Sequence, residues 1–355
     1  ANKNSIKIIG NSTDKFVQGY FEYDSKKSGS LTVSHLRISD REILMPYEIE
    51  RADFIAIHNY SFISRFNILK HLKQNGVVLL NTVLKPEELD KKLPIFFKQD
   101  LIKKNAKLYI IDAQNIASEV GLGNKINTIM QSAFFKVSNI IDFESAKNQM
   151  IEAARKTYMR KGESVVKANE RAVLSFDRLE FVPLSLLSEK TFEDEPKNFG
   201  SDGCNSDCVN CTGCENEVKF ANEVMKPISL REGNNLKVSA FAPDGRVPTG
   251  TSQFEKRGIA LRCPNWNSDL CVQCGRCVMA CPHAAIRAVL VDENEIKDAP
   301  EGFITKDAIG VKGAKYRIQV SPLDCTGCGV CANVCIAKDK ALKMEVAPDL
   351  SNEIE

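Results

Sequence analysis

The sequence predicts an α/β N-terminal domain, a mostly parallel sheet flanked by helices, followed by a small α+β segment and a C-terminal domain organised around cysteines. Three observations predict this. Short apolar runs rich in β-branched residues alternate with helical segments through the first half of the chain. No cysteine precedes Cys204, and twelve of the thirteen fall into three groups of four. The run CVQCGRCVMACP at 271–282 is nearly repeated from Cys325 as CTGCGVCANVC.

DFIAIH (53–58), GVVLLNT (76–82) and KLYIID (107–112) have the length and composition of buried parallel strands. Helical segments at 61–74, 86–98, 113–121 and 126–139 surround them, and the alternation is the βαβ signal. Two more strands are expected at 17–24 and 30–39, joined by SKKSG. Residues 144–175 suit two helices that close the domain. GLGNK (121–125) follows a helix rather than a strand, so its glycines end one helix ahead of the next. The expected domains are 1–190, a Cys-rich linker or insertion at 191–218, a small domain at 219–262, the duplicated cysteine domain at 263–346 and a tail at 347–355.

Composition excludes several classes. Hydrophobic content of 43% and charged content of 26% are those of a soluble globular protein. A net charge of +2 leaves no basic excess to attract nucleic acid. No apolar run nears the roughly 18 residues of a membrane span, and no signal peptide is visible. The expected location is the cytoplasm, or an anaerobic organelle in a eukaryote. Grouped cysteines read as thiolate ligands in a reducing compartment. Cys263 stands outside the groups and is expected to be a small, partly buried apolar residue.

Cys271, Cys274, Cys277 and Cys281, with Pro282, have the C-x2-C-x2-C-x3-C-P spacing of two-cluster bacterial ferredoxins. Cys325, Cys328, Cys331 and Cys335 repeat it, with Ile336 where proline would stand. A two-residue gap lets one loop wrap three thiolates around an iron–sulfur cube, while the fourth cysteine ligates the other cluster. The expected sets are therefore Cys271, Cys274, Cys277 and Cys335 for one [4Fe-4S] cluster, and Cys325, Cys328, Cys331 and Cys281 for the other. The third domain is thus a ferredoxin-like two-[4Fe-4S] domain. Zinc would suit one C-x2-C pair but not eight thiols at duplicated spacing.

Cys204, Cys208, Cys211 and Cys214 are more ambiguous. The first three share the C-x3-C-x2-C spacing of radical enzymes, yet no repeated βα units surround them. The loop could hold a third [4Fe-4S] cluster, zinc, or no metal.

No catalytic residue is expected. His35, His58, His71 and His283 are the four histidines, and no nucleophile triad, phosphate loop or complete G-x-G-x-x-G accompanies them. His58 ends an apolar run, where a ligand crevice can form. His283 follows Cys281-Pro282, His71 is expected on a solvated helix face, and His35 has no assigned role.

Longer segments carry a resemblance. The opening ANKNSIKIIGNSTDKFVQGYFEYDSKKSGSLTVSHLRIS, then GLGNKINTIMQSAFFKVSNI, VSAF, GTSQFEKRGIA and YRIQVSPLDCTGCGVCANVC, resemble the central region of pyruvate:ferredoxin (flavodoxin) oxidoreductases. That likeness implies a γ-type domain, a small domain named for its EKR triplet, and the two-cluster domain. It implies conversion of pyruvate and coenzyme A to acetyl-CoA and carbon dioxide. Thiamine diphosphate and magnesium would lie in domains outside this chain. Electrons would pass through the two clusters to ferredoxin or flavodoxin. It also implies that the γ domain helps hold coenzyme A, for which Ser25, Lys26, Lys27, Ser28 and Gly29 offer cations, hydroxyls and backbone donors. Glu255, Lys256 and Arg257 are read as an ion-pair latch between domains. The chain opens without Met, as an internal fragment would; the alternative is a stand-alone or separately encoded γ/δ-type electron-transfer subunit.

Overall fold

A computed structural model describes residues 2–23, 31–188, 214–256, 258–297, 299 and 302–346. The chain divides into two compact units, the first taking in the described residues up to Ser188 and the second those from Cys214. Ser25, Lys26, Lys27, Ser28 and Gly29 lie outside the described residues, as do Arg257, Cys204, Cys208 and Cys211.

The first unit opens with helix α1 (Asn2–Ser12) and an antiparallel pair, β1 (Phe16–Glu22) and β2 (Val33–Ser39). Its main sheet has four strands in the order β3 (Ala52–Ile57), β4 (Leu72–Asn81), β5 (Lys107–Ile111) and β6 (Glu180–Val182). The first three are parallel and β6 joins antiparallel. This three-residue strand escaped the sequence reading because it is too short to show a period.

Between β4 and β5 lie α2 (Pro86–Lys92) and α3 (Ile95–Lys103). One helix over 86–98 was expected, but Pro94 has no N–H to continue the ladder and holds Leu93 extended, so the chain breaks there. The helix expected at 61–74 is also absent. Two 3-10 turns, Tyr60–Phe62 and Ile68–His71, replace it, and Leu72 already belongs to β4. The buried residues Ile63, Phe66, Leu69 and Leu72 recur every third position, a spacing that a 3.6-residue helix does not keep on one face.

After β5 come α4 (Ala113–Glu119), α5 (Asn127–Ser138), α6 (Phe143–Tyr158) and α7 (Glu163–Leu174), in the expected places. Alternate residues of β4 face opposite layers. Val78 and Leu80 pack with Leu89, Phe97 and Leu101 of α2 and α3, and Leu79 packs with Ile116, Ile129 and Met130 of α4 and α5. The sheet is thus covered on both sides, as parallel strands require. The ammonium of Lys98, only 2% exposed, donates to the Asp90 carboxylate at 3.0 Å and to its carbonyl at 2.7 Å.

The second unit begins with α8 (Cys214–Phe220), a π turn at Ala221–Met225 and α9 (Lys226–Ser229). Among the described residues of the expected small α+β segment, strand appears only at its last residue, Arg262. Then follow β7 (Arg262–Trp266), α10 (Arg276–Ala280), β8 (Ile286–Val291), α11 (Glu293–Lys297), β9 (Lys306–Asp307), β10 (Lys315–Val320), α12 (Val330–Val334) and β11 (Leu342–Val346). β7 pairs with β11, and β8 pairs with β10, both antiparallel; β9 extends the second sheet.

Candidate metal centre

The strand pairing exchanges the two cysteine runs. Each run is a strand, a loop, one short helix and a second strand: β7, loop, α10, β8, and then β10, loop, α12, β11. Because the first strand of one run pairs with the last strand of the other, the end of each run lies beside the start of its twin. Two matching backbone bonds tie these junctions, Asn267 N–H to Ala341 O at 2.8 Å and Ser321 N–H to Ala285 O at 2.8 Å.

Within each loop the backbone turns the same way. Gly275 and Gly329 sit at φ 69° and 75°, the left-handed region that glycine enters without strain, and each starts a short helix. Gln273 N–H points to Cys271 Sγ at 3.4 Å, and Gly327 N–H to Cys325 Sγ at 3.4 Å. Gln273 has φ 54° without being glycine. Its side-chain amide donates to Asp307 O at 2.6 Å and accepts from Ile309 N–H at 2.9 Å, which holds that conformation in place.

Cys271, Cys274, Cys277 and Cys335 line one cavity, walled by Trp266, Tyr316, Ile318 and Leu342. Burial raises the Cys277 thiol, and the neighbouring Cys271 and Cys274 thiols add to the effect. Burial, then the same three thiols, pushes the Tyr316 hydroxyl up to about 12. In the second loop Cys331 is buried and pushed up to about 11, by burial first and then by Cys325, Cys328 and Cys277. Thiols crowded in this way resist losing their protons until a cation takes the charge, so loading releases protons. Cys281, expected in the second set, borders an apolar cluster that takes in Cys331 and also Cys271 and Cys277 of the first set.

Two observations test the fit of an iron–sulfur cluster. Among the described residues no three His, Cys, Asp or Glu side chains converge as a single metal ion requires. The four thiols instead ring a space, the arrangement of a group that takes one thiolate at each iron corner. Trp266 also lines that cavity, and its buried indole N–H has no hydrogen-bond partner among the described residues. Thiolate and sulfide sulfurs are the acceptors that a bound cluster would supply there. The residues fit.

Several contributors were not visible in the sequence. Lys306 donates to Ser268 O at 2.7 Å and Cys271 O at 2.9 Å. Lys340 donates to Asn333 O at 3.1 Å and Cys335 O at 2.5 Å. Nothing in local spacing could have found them, because each reaches its partner through a turn in the fold. Cys263 is buried, as expected of a small apolar residue, but its thiol also hydrogen-bonds Cys325. That bond, with the Gly327 N–H, holds the Cys325 thiol low, at about 6. Lys256 of the EKR triplet pairs with Asp324, and Glu255 makes contacts of its own.

The remaining candidates are carried by other elements. Cys214 is the first residue of α8. His35 accepts from Ile49 N–H at 3.0 Å through Nδ1, so its Nε2 carries the proton donated to Glu22 at 2.8 Å. His71 is exposed and meets Glu50 O at 3.1 Å, in a 3-10 turn rather than on the expected helix face. His58 follows β3, and burial lowers its pKa.

Comparison with known proteins covers most of the chain. Residues 1–175 match the family described as pyruvate ferredoxin/flavodoxin oxidoreductase. Residues 211–260 match the EKR family, described as a domain of unknown function, and 270–338 match the 4Fe-4S dicluster domain. The pyruvate:ferredoxin oxidoreductase of Moorella thermoacetica is 47% identical over 97% of this chain and 28% of its own length. The pyruvate-flavodoxin oxidoreductase of Enterobacter agglomerans is 42% identical over 100% of this chain and 29% of its own. A pyruvate dehydrogenase [NADP(+)] of Cryptosporidium parvum is 41% identical over 97% of this chain and 19% of its own. The chain therefore spans less than a third of the length of these relatives.

Proposed function

This chain belongs to the pyruvate ferredoxin/flavodoxin oxidoreductase family, and on that premise we propose that it is the electron-relaying portion of such an enzyme. The reaction served is oxidation of pyruvate with coenzyme A to acetyl-CoA and carbon dioxide. The single observation that carries the relay is the cavity shared by Cys271, Cys274, Cys277 and Cys335. Cys325, Cys328, Cys331 and Cys281 form the second ligand set. A cluster bound to either set supplies one-electron uptake and release, chemistry that no side chain here provides.

The chain's own work is to hold and insulate. Gln273 and Gly327 aim backbone N–H groups at ligand sulfurs, which stabilises negative charge on them. Trp266, Tyr316, Ile318 and Leu342 wall the first site with apolar surface and lower its dielectric. Cys274 and Cys328 remain exposed, one in each loop, so each site keeps one corner near the surface for transfer.

Thiamine diphosphate and magnesium belong to portions of the enzyme beyond these 355 residues. Relatives that carry this segment within much longer proteins support that reading over a separately encoded subunit. Their names include ferredoxin, flavodoxin and NADP(+), so one segment serves enzymes that differ in acceptor; ferredoxin or flavodoxin is proposed here. Residues 25–29 are proposed to meet coenzyme A, which calorimetry with the purified chain tests directly.

The isolated, iron-loaded chain should show no pyruvate-dependent dye reduction, and recombination with the remaining domains should restore it. Anaerobic analysis should give about eight irons per chain for two clusters, or about twelve if Cys204, Cys208, Cys211 and Cys214 hold a third. About four fewer irons, with one zinc in their place, would support the single-ion alternative for a site. Pyruvate oxidation by the isolated chain would refute the proposal.

A further inference from the structure

The two cysteine runs differ in the charges that hold them. Cys281 precedes Pro282, whose ring biases the residue before it to extended backbone, and Cys281 has ψ 112°. Cys335 precedes Ile336 and yet adopts nearly the same conformation, with ψ 123°. Lys340 does there what proline does in the first run. Its ammonium grips the carbonyls of Asn333 and Cys335, the last turn of α12 and the ligand that follows it. At the other end of the same ligand set, Lys306 grips the carbonyls of Ser268 and Cys271.

Neither ammonium is ion-paired among the described residues; each donates to two carbonyl oxygens, one of which belongs to a ligand of this set, Cys271 for Lys306 and Cys335 for Lys340. Beside the other set the balance differs. Lys256 meets the carboxylate of Asp324, the neighbour of Cys325, so that pair adds no net charge.

We propose that Lys306 and Lys340 are positioning residues that separate the two relay sites in reduction potential, so that an electron shared between them rests at the Cys271, Cys274, Cys277, Cys335 site. The proposal rests on the ligand sets assigned above. An arriving electron makes a site one charge more negative, and fixed cations held against that site's own ligand carbonyls favour the change. An ion pair does so far less. One electron leaves the Cys325 side for each that arrives, and no bond or proton changes hands. Lys306 is half-buried whereas Lys340 is exposed, so salt screens Lys340 more and Lys306 carries the larger effect.

The test is an EPR-monitored redox titration of the iron-loaded 355-residue chain with Lys306→Gln, Lys340→Gln and the corresponding arginine variants. Glutamine keeps a donor without the charge; arginine keeps the charge. One of the two one-electron steps should move negative with Lys306→Gln, by about tenfold in the reduced-to-oxidised ratio, or about 59 mV for a one-electron couple. A smaller shift is expected for Lys340→Gln, none for arginine, and none in the other step. Cys335→Ser identifies the moving step, because it should abolish that one. Equal movement of both steps, no movement at full iron content, or movement confined to the step that survives Cys335→Ser would overturn the proposal. If a glutamine variant fails to load iron, a salt series on the unaltered chain decides. Raising ionic strength should move the same step negative more than its neighbour, and parallel movement would sink the idea. Absence of two cluster signals from the unaltered chain would overturn the ligand sets as well, whereas two signals with unmoved potentials overturn this inference alone.

Discussion

Lys256 Nζ lies 2.5 Å from Asp324 Oδ2, and Asp324 is the residue before Cys325. The contact is one of several along that stretch. Gly258 N–H donates to Leu323 O at 3.0 Å, and Ser321 Oγ donates to Asp324 at 2.8 Å. Gly327 is packed so closely that a Cβ there would stand 3.1 Å from Arg262 O. Lys256 and residues 258–263 thus lie against the second cysteine loop, and the EKR lysine is latched to Asp324 there.

Asp324→Asn should cost about 1 kcal/mol or less, since both partners are partly exposed and solvent screens the pair. Lys256→Met should cost a similar amount, and the double variant no more than the larger single one. Gly327→Ala should cost more, about 1–3 kcal/mol, because φ +70° and the nearby carbonyl both oppose a side chain. Denaturant midpoints of the iron-loaded chain measure all three.

Cys335→Ser should remove the site whose other ligands are Cys271, Cys274 and Cys277, and leave the one that is its neighbour in sequence. Cys281→Ser should do the reverse. Iron content should fall from about eight to about four in each, with a different EPR signal surviving. The same signal surviving in both would rule out the exchanged ligand sets.

Gln273→Ala removes both amide contacts to residues 307–309 while leaving a side chain at φ 54°. It should lower stability by about 1–3 kcal/mol. Gln273→Gly should recover part of that, since glycine tolerates the backbone but cannot make the contacts. Thermal unfolding of the loaded variants checks the ranking.

His58 is held neutral by burial, its pKa lowered from 6.5. The unfolded chain therefore binds this proton at a higher pH than the folded chain does, and stability rises with pH between the two pKa values. The contribution is intact above about pH 6.5 and is lost as pH falls through the interval below it. Denaturant midpoints between pH 5 and 8 should show the fall, and His58→Gln should remove that part of it.

Much of this molecule was determined by residues close together in the chain. The βα alternation placed β3, β4 and β5, because a buried strand announces itself in six consecutive residues. Thiol spacing announced the loops around Cys271–Cys277 and Cys325–Cys331, because wrapping a cluster is a local act. The break at Pro94 is legible too, since proline has no N–H to continue a helix through it. Tertiary structure alone decided the rest. Pairing of β7 with β11 sets Cys335 against a loop some sixty residues earlier, and only that folding back gives Lys306, Lys340, Trp266 and Tyr316 a common cavity or ligand carbonyl to act on. Their roles depend on contacts across long stretches of chain, and no local pattern encodes a distance of that kind.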